Sequence, residues 1–439
     1  MKARFVTFGC KLNQSETEGL ACAFRRAGYA VDASDADADV IVVNTCAVTT
    51  KAEQKARRLI RRLLASNPRS SVIVTGCYAQ LGKAQLERLD AGAGRLFIVP
   101  GDDKAELLAL PEELGQGAPP DQALSGLAGG AHDRFSLHPA ELSFHSRPTL
   151  KIQDGCDNAC AYCAVQLARG PSVSLAPEDA LSRLKALEES GFGEAALVGV
   201  NIGQYRSGSI GLAEFLERLL LGTKSVALRL SSLEPNAFSD ALFAILRHPR
   251  IRPHFHLSVQ SCSEKILRSM GRPYTAEELF RIIERLREAK GDPFLACDVI
   301  TGFPGETKKE FEETMRFCAN ADFAWIHAFP FSPRPGTAAF SLPGGIPPRE
   351  AAARVQALSS LAQQGRLRYA ERHAGREVTA ICEDGRPGGD HFPALSENYL
   401  RLLVAAPDTP RPPRGREFRC RITRAAQAAP RVDALGEMI

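Results

Sequence analysis

Short apolar runs, each followed by helix-forming sequence, recur along most of this chain, and no other feature restricts its fold as strongly. Phe5-Val6-Thr7-Phe8-Gly9 precedes a helix that Asn13 to Glu18 can open and Gly28 can end. Val40-Ile41-Val42-Val43-Asn44-Thr45 precedes a basic helix from about 50 to 65, and Val72-Ile73-Val74-Thr75-Gly76 precedes helical sequence from Tyr78. Buried runs this short, alternating with helices, require a parallel sheet with helices on its faces, because parallel strands are joined by long crossovers. A Gly-, Pro-, Ala- and Ser-rich stretch over 111–146, including Gly115-Gln116-Gly117-Ala118-Pro119-Pro120 and Gly126-Leu127-Ala128-Gly129-Gly130, reads as a linker.

The alternation resumes at 149–153 and recurs at 195–200, 226–230, 254–259, 294–300 and 323–329. Six strand-helix units predict a complete or partial (β/α)6 barrel, with its site at the C-terminal ends of the strands. A helix over 348–373 leads into short strand candidates at 377–382, 399–404 and 417–422, separated by Gly and Pro, which read as a small β-domain. The expected architecture is therefore α/β, with a parallel-sheet α/β domain at 1–110, the linker at 111–146, the barrel at 147–373 and a small C-terminal β-barrel domain at 374–439.

A length of 439 residues suits two to four domains, and 44% hydrophobic with 24% charged residues is a globular balance. No stretch approaches 18 consecutive apolar residues and the N-terminus does not read as a signal peptide, so a cytoplasmic protein without a membrane partner is expected. Twelve cysteines in that reducing compartment point to metal binding or catalysis rather than to disulfides. From Arg401 onward there are eight Arg against four Asp or Glu, an excess equal to the whole chain's formal charge of +4.

Three thiols are packed into eight residues at Cys156-Asp157-Asn158-Ala159-Cys160-Ala161-Tyr162-Cys163, a C-x3-C-x2-C triplet just past the first strand of the second series. Three thiolates on a four-iron cluster leave one iron open. The alternatives are buried thiols or a zinc knuckle, but zinc needs a fourth ligand, and the flanking histidines are as far off as His145 and His248. Cys10, Cys46 and Cys77 each follow an apolar run of the first series. Parallel strands put their carboxyl ends on one edge, so these thiols either converge on a second cluster or are unrelated core residues.

The helix after Cys46 carries Lys51, Lys55, Arg57, Arg58, Arg61 and Arg62 against Glu53, either a solvated face or a surface for phosphates. Strand ends of the second series bear polar or glycine-containing tails: Gly199 to Tyr205, Ser231 to Pro235, Ser258 to Ser261 and Asp298 to Thr307. On that rim Asn201, Ser232, Glu234, Gln260 and Asp298 are candidates for binding a small-molecule cofactor.

With Tyr162 before its last cysteine, the triplet resembles the radical SAM signature C-x3-C-x-aromatic-C. Adding Cys10, Cys46 and Cys77, nearly the whole chain resembles a radical SAM methylthiotransferase. Gly9-Cys10-Lys11-Leu12-Asn13-Gln14-Ser15-Glu16-Thr17, Asn44-Thr45-Cys46-Ala47-Val48-Thr49 and Gly199-Val200-Asn201-Ile202-Gly203 are similar to the branch that modifies threonylcarbamoyladenosine beside the tRNA anticodon. The isopentenyladenosine branch typically has Gln-Met-Asn after its first cysteine and the ribosomal-protein branch Pro-Lys-Asn; neither stands here.

The resemblance implies that Cys156, Cys160 and Cys163 hold a 4Fe-4S cluster whose open iron takes the amino and carboxylate groups of S-adenosylmethionine. Reductive cleavage gives a 5′-deoxyadenosyl radical that abstracts hydrogen from C2 of the adenine. Cys10, Cys46 and Cys77 would hold a second 4Fe-4S cluster that supplies or carries sulfur, with the methyl group coming from another S-adenosylmethionine. Asn201, Ser232, Glu234, Gln260 and Asp298 would then line the S-adenosylmethionine pocket. Arg169 occupies a family position near it, contacting a carboxylate or phosphate or else pairing with a strand-end carboxylate. The implied partners are tRNA, gripped by a TRAM-like β-domain at 374–439, and a reductant such as a flavodoxin or ferredoxin; a monomer is expected.

The family usually has Gln-Ser-Gly where this chain has Gln260-Ser261-Cys262, so the extra side chain is expected to crowd the cofactor side of the barrel. Other readings of the same residues are methylthiolation of isopentenyladenosine or of a ribosomal-protein side chain, and a non-enzymatic RNA-binding module holding structural metal.

Overall fold

The computed structural model of the chain describes residues 1–31, 37–90, 94–126, 133–139, 144–384, 391–406, 410–426 and 432–439. The run 127–130 of the glycine-rich stretch and the segment 407–409 of the Pro/Arg-rich one lie outside the described residues.

The N-terminal sheet is parallel, in the order β1 (Ala3–Thr7), β2 (Val40–Thr45), β3 (Ser71–Gly76) and β4 (Leu96–Ile98). Its helices are α1 (Lys11–Arg26), α2 (Thr50–Ser66) and the short α3 (Cys77–Leu81). The two-residue period of β2 decides which helix covers which face. Val40 and Val42 pack with Leu20 and Phe24 of α1, while Ile41 and Val43 pack with Ala56, Ile60 and Leu63 of α2. The described parts of the Gly/Pro-rich segment are not extended. They form helices at Leu110–Gly115 and Pro120–Gly126, and Leu114, Ala123 and Leu137 join the α1 side of this core.

The second series forms β5 (Thr149–Lys151), α4 (Pro177–Glu189), β6 (Glu194–Val198), α5 (Leu212–Gly222), β7 (Ala227–Leu230), α6 (Asp240–Leu246), β8 (His254–Gln260), α7 (Ala276–Lys290), β9 (Phe294–Thr301), α8 (Lys308–Asn320), β10 (Trp325–Pro330) and α9 (Pro348–Arg372). Pairing is parallel throughout, β5-β6-β7 and β8-β9-β10, and single bridges Leu228–Ile251 and Leu233–Leu257 join the two halves. Among the described residues no strand closes β5 against β10, so this is an open six-stranded barrel.

The N-terminal domain docks against the open barrel. Leu12 of α1 packs on Ala196 and Val198 of β6, and Lys11 reaches the ring of Tyr399, 5.4 Å away. Burying Leu12 there contributes about 1.5–3 kcal/mol to the docking of the two domains.

The C-terminal strands β11 (Glu377–Cys382), β12 (His391–Ser396), β13 (Arg401–Ala405), β14 (Glu417–Ala425) and β15 (Ala434–Met438) close into a barrel in the order β11-β12-β13-β15-β14. It is fixed to the bottom of the open barrel by Glu194. That fully buried carboxylate meets Arg229 at 2.6 Å, Arg252 at 3.0 Å and Arg147 at 3.5 Å, and Arg252 continues to Glu397 and Glu417.

Candidate active site

Parallel neighbours β1, β2 and β3 bring Cys10, Cys46 and Cys77 to one sheet edge. Cys46 directly follows β2 and Cys77 directly follows β3, but β1 ends at Thr7, so Cys10 lies three residues on, as the residue that starts α1. Gly9 makes that link with φ +103°, a conformation side chains disfavour. A Cβ at Gly9 would also stand 2.7 Å from Cys46 Cβ. The Val48 N–H donates to Cys46 Sγ at 3.5 Å. Burial pushes the Cys46 thiol up to about 12 and raises Cys10 as well.

The triplet loop begins at Gly155, φ +70°, where a Cβ would run into the carbonyl of Pro171. It is held by backbone bonds from Cys156 to Gly170 and from Ala161 to Met270. Each thiol accepts a donor: Asn158 N–H to Cys156 at 3.4 Å, Val165 N–H to Cys163 at 3.4 Å and Arg272 Nη1 to Cys160 at 3.1 Å. Asn201 Nδ2 stands 3.9 Å from Cys156 Sγ. Burial, with further contributions from Cys160 and Cys156, pushes Cys163 up to about 11.

Arg272 is buried and fully engaged. It pairs with Glu234, and its Nε donates to Tyr274 Oη at 2.8 Å. Sequence reasoning missed this residue; the only signal was the polar run Gly271-Arg272-Pro273-Tyr274-Thr275 before α7.

One cavity of about 480 Å³ joins the two thiol sets. Cys10, Cys46 and Cys77 line one wall, and Tyr162, Cys163, Gln260 and Asp298 another. Cys10 is exposed to this space. The rest of the lining is largely apolar, including Ile300, Phe329 and Phe331.

Of the five rim candidates, Gln260 and Asp298 thus face the cavity, with Asp298 3.0 Å from His256. Asn201 and Glu234 approach the triplet instead, through Cys156 and through Arg272. Ser232 is half-buried after β7 and is not part of the cavity wall.

Cys262 does not crowd this space. Gln260 adopts φ +61° after a register shift in β8, so the chain turns away, and the Cys262 N–H donates to Thr314 Oγ1 of α8 at 3.0 Å. Its side chain is buried in the core between barrel and helices with Cys297 and Cys318.

Arg169 pairs with carboxylates rather than facing an open pocket. It lies 2.9 Å from Glu16 and 3.0 Å from Asp154, and its Nη2 donates to Asn13 Oδ1 at 2.7 Å. Lys104 and Lys151 complete the cluster, at 2.5 and 2.9 Å from Glu16. These groups come from α1, β5 and the segments beside them, so the cluster bolts the α/β domain to the barrel. Buried charges are tolerated when paired in this way. Desolvation raises the Glu16 carboxyl, but Arg169, Lys104 and Lys151 together hold it well below the usual carboxylate range.

The donor set fits iron-sulfur clusters. Four of the six thiols accept N–H donors, the pattern that stabilises cluster thiolates. Among the described residues no three Cys, His, Asp or Glu side chains converge tightly enough for a single ion. One tetrahedral zinc would gather its sulfurs at about 2.3 Å from itself.

The model of the radical SAM superfamily matches residues 150–318, and that of the uncharacterized protein family UPF0004 matches residues 2–96. With the triplet beyond the first strand of an open barrel, the chain is a radical SAM enzyme. The threonylcarbamoyladenosine tRNA methylthiotransferase MtaB of Treponema pallidum is 40% identical to it, over 91% of this chain and 94% of that protein. A tRNA-2-methylthio-N(6)-dimethylallyladenosine synthase of Anaeromyxobacter is 35% identical, over 95% and 91%. The radical S-adenosylmethionine methyltransferase TsrM of Kitasatospora setae, solved with cobalamin and a [4Fe-4S] cluster, shares the fold, with TM-score 0.53, 14% identity and 77% of each chain covered. The chain belongs to the MtaB-type radical SAM methylthiotransferases, transferases that work with S-adenosylmethionine and 4Fe-4S clusters.

Proposed function

We propose that this enzyme methylthiolates C2 of N6-threonylcarbamoyladenosine next to the anticodon of tRNA. The observation that carries the reading is the single cavity on which thiols of both sets open, Cys163 across from Cys10, Cys46 and Cys77. Its volume of about 480 Å³ lies within the usual range for ligand sites, and its apolar, aromatic lining suits a flat base.

Cys156, Cys160 and Cys163 hold one cluster, and Cys10, Cys46 and Cys77 hold the other. Once bound, the clusters and S-adenosylmethionine supply a reductive cleavage that opens an unactivated C–H bond, together with the sulfur and methyl group of the product. The chain's own task is to aim these groups and exclude water. Asn201 and Glu234 sit at the triplet, and Gln260 and Asp298 on the wall facing the second set. The division into 1–110, 111–146, 147–373 and a TRAM-like 374–439 follows this reading, as do a flavodoxin- or ferredoxin-type reductant and work in the cytoplasm. Among the described residues no helix is long and apolar enough to cross a membrane.

Mass spectrometry of tRNA nucleosides from a strain lacking the gene tests the substrate. The methylthio form of threonylcarbamoyladenosine should disappear while that of isopentenyladenosine stays. The opposite pattern assigns the enzyme to the isopentenyladenosine branch, and loss of neither redirects it to a protein side chain.

The Arg272 contact adds a second expectation. A cation donating to a cluster thiolate favours the more negative, reduced state. Arg272→Met should lower the midpoint potential of the triplet cluster by roughly 60 mV, tenfold in a one-electron equilibrium, while Arg272→Lys recovers part of it. Redox titration followed by electron paramagnetic resonance reads the shift, and equal potentials in all three proteins would rule the role out.

A further inference from the structure

The six cations of α2 in the sequence separate into two groups once the helix is docked. Ala56, Ile60 and Leu63 are buried on the sheet, which turns Lys51, Lys55, Arg58 and Arg61 outward, all exposed. Lys51, Lys55 and Arg58 fall within an arc of about 60° at 100° per residue, which also contains the exposed Arg62, and Arg61 widens it to about 120°. None of the four has a hydrogen-bond or ion-pair partner among the described residues, whereas Arg57 faces Glu53 and Tyr78. Unpartnered like charges along one helix face repel one another and cost stability. Such a stripe is retained when something anionic neutralises it.

The stripe also starts at the site. Thr49, which caps α2, and Ala52 line the cavity, and the Thr50 N–H is fixed by Ser332 Oγ of the barrel at 3.0 Å. From there the four cations run outward for about 15 Å, the rise of about four nucleotides of a helical strand.

The arginines of the C-terminal barrel, where the sequence places most of the basic excess, are largely spent on neighbours. Arg401 binds Asp433, Arg419 and Arg421 bind Glu377, and Arg414 binds Asp384. We infer that the exposed face of α2, through Lys51, Lys55, Arg58 and Arg61, is the rail on which phosphates of the substrate RNA lie, leading the target nucleotide to the cavity. The inference rests on the tRNA reading above and names the surface that reading leaves open. Phosphate contacts position the strand without reading its sequence.

The test is fluorescence anisotropy of a fluorescein-labelled anticodon stem-loop RNA with the full chain at several salt concentrations. Changing Lys51, Lys55, Arg58 and Arg61 together to alanine should weaken binding roughly 10- to 100-fold near 0.1 M salt and flatten the log-log salt slope by about 3. Alanine suits exposed helix positions, so thermal melting should match the parent. The control, Arg419→Ala with Arg421→Ala, should weaken binding less than threefold. Unchanged affinity and slope in the α2 variant, or a larger loss in the control, overturns the inference while leaving the substrate assignment standing. A parent protein that does not bind the stem-loop at all overturns both.

Discussion

Alanine at Cys156, Cys160 or Cys163 should abolish reductive cleavage of S-adenosylmethionine, by at least about a thousandfold, because under the proposed assignment each removes a ligand of the cluster that delivers the electron. Alanine at Cys10, Cys46 or Cys77 should leave cleavage measurable and eliminate the methylthio product. The two sets belong to different domains and meet across one cavity, so either can be lost without dismantling the other. Anaerobic reconstitution with iron and sulfide separates the effects, since a variant in one set should keep about four of about eight irons per chain. Analysis of 5′-deoxyadenosine and of product nucleoside from the same reactions completes the comparison. The same defect from both sets, in protein that melts like the parent, would remove the division of labour.

Glu16→Gln should lower the unfolding free energy of the cluster-free chain by about 3–5 kcal/mol, the usual result of breaking a buried ion network by removing one partner. The substitution leaves Lys104, Lys151 and Arg169 with Asp154 as their remaining carboxylate in the cluster. Urea unfolding monitored by circular dichroism measures the loss, and a change under about 1 kcal/mol would mean that the junction relaxes freely. The pH dependence has a definite sign. The folded Glu16 carboxyl lies below its unfolded value, so its contribution is complete above the ordinary carboxylate range and fades as pH falls. Glu194, held at about 2 by Arg229, Arg252 and Arg147 against the desolvation of burial, acts in the same direction between about pH 4.5 and 2. Acid should therefore loosen both ends of the barrel, and Glu16→Gln should make the chain's stability less steep in pH.

What the sequence made legible was whatever depends on local pattern. The apolar run at β2 has the same bounds in the structure, β11 likewise, and α2 differs by one residue. β4, β12 and β15 escaped, because β4 has only three residues and β12 and β15, with proline, glycine or alanine among five or six, carry little periodicity. The thiols were legible as two sets because parallel topology gathers strand ends. Their common cavity was not, since it depends on how two domains dock. Arg272, Lys151 and Glu16 were invisible for the same reason, their partners being tens to more than a hundred residues away. A lysine inside the buried run Thr149 to Gln153 was nonetheless a clue, because a buried ammonium requires a partner. Cys262 shows the converse. Its place in a motif suggested the cofactor side, and one left-handed residue, Gln260, turned it to the other.

Cys10 lines the cavity together with barrel residues and Leu12 beside it packs on β6, so the reaction chamber is owned by neither half of the chain. Severed near residue 146, each half would keep its three thiols and lose the opposite wall. The protein thus makes possession of a working chamber a property of the finished chain, and a partly made copy carries clusters with nowhere to bring them together.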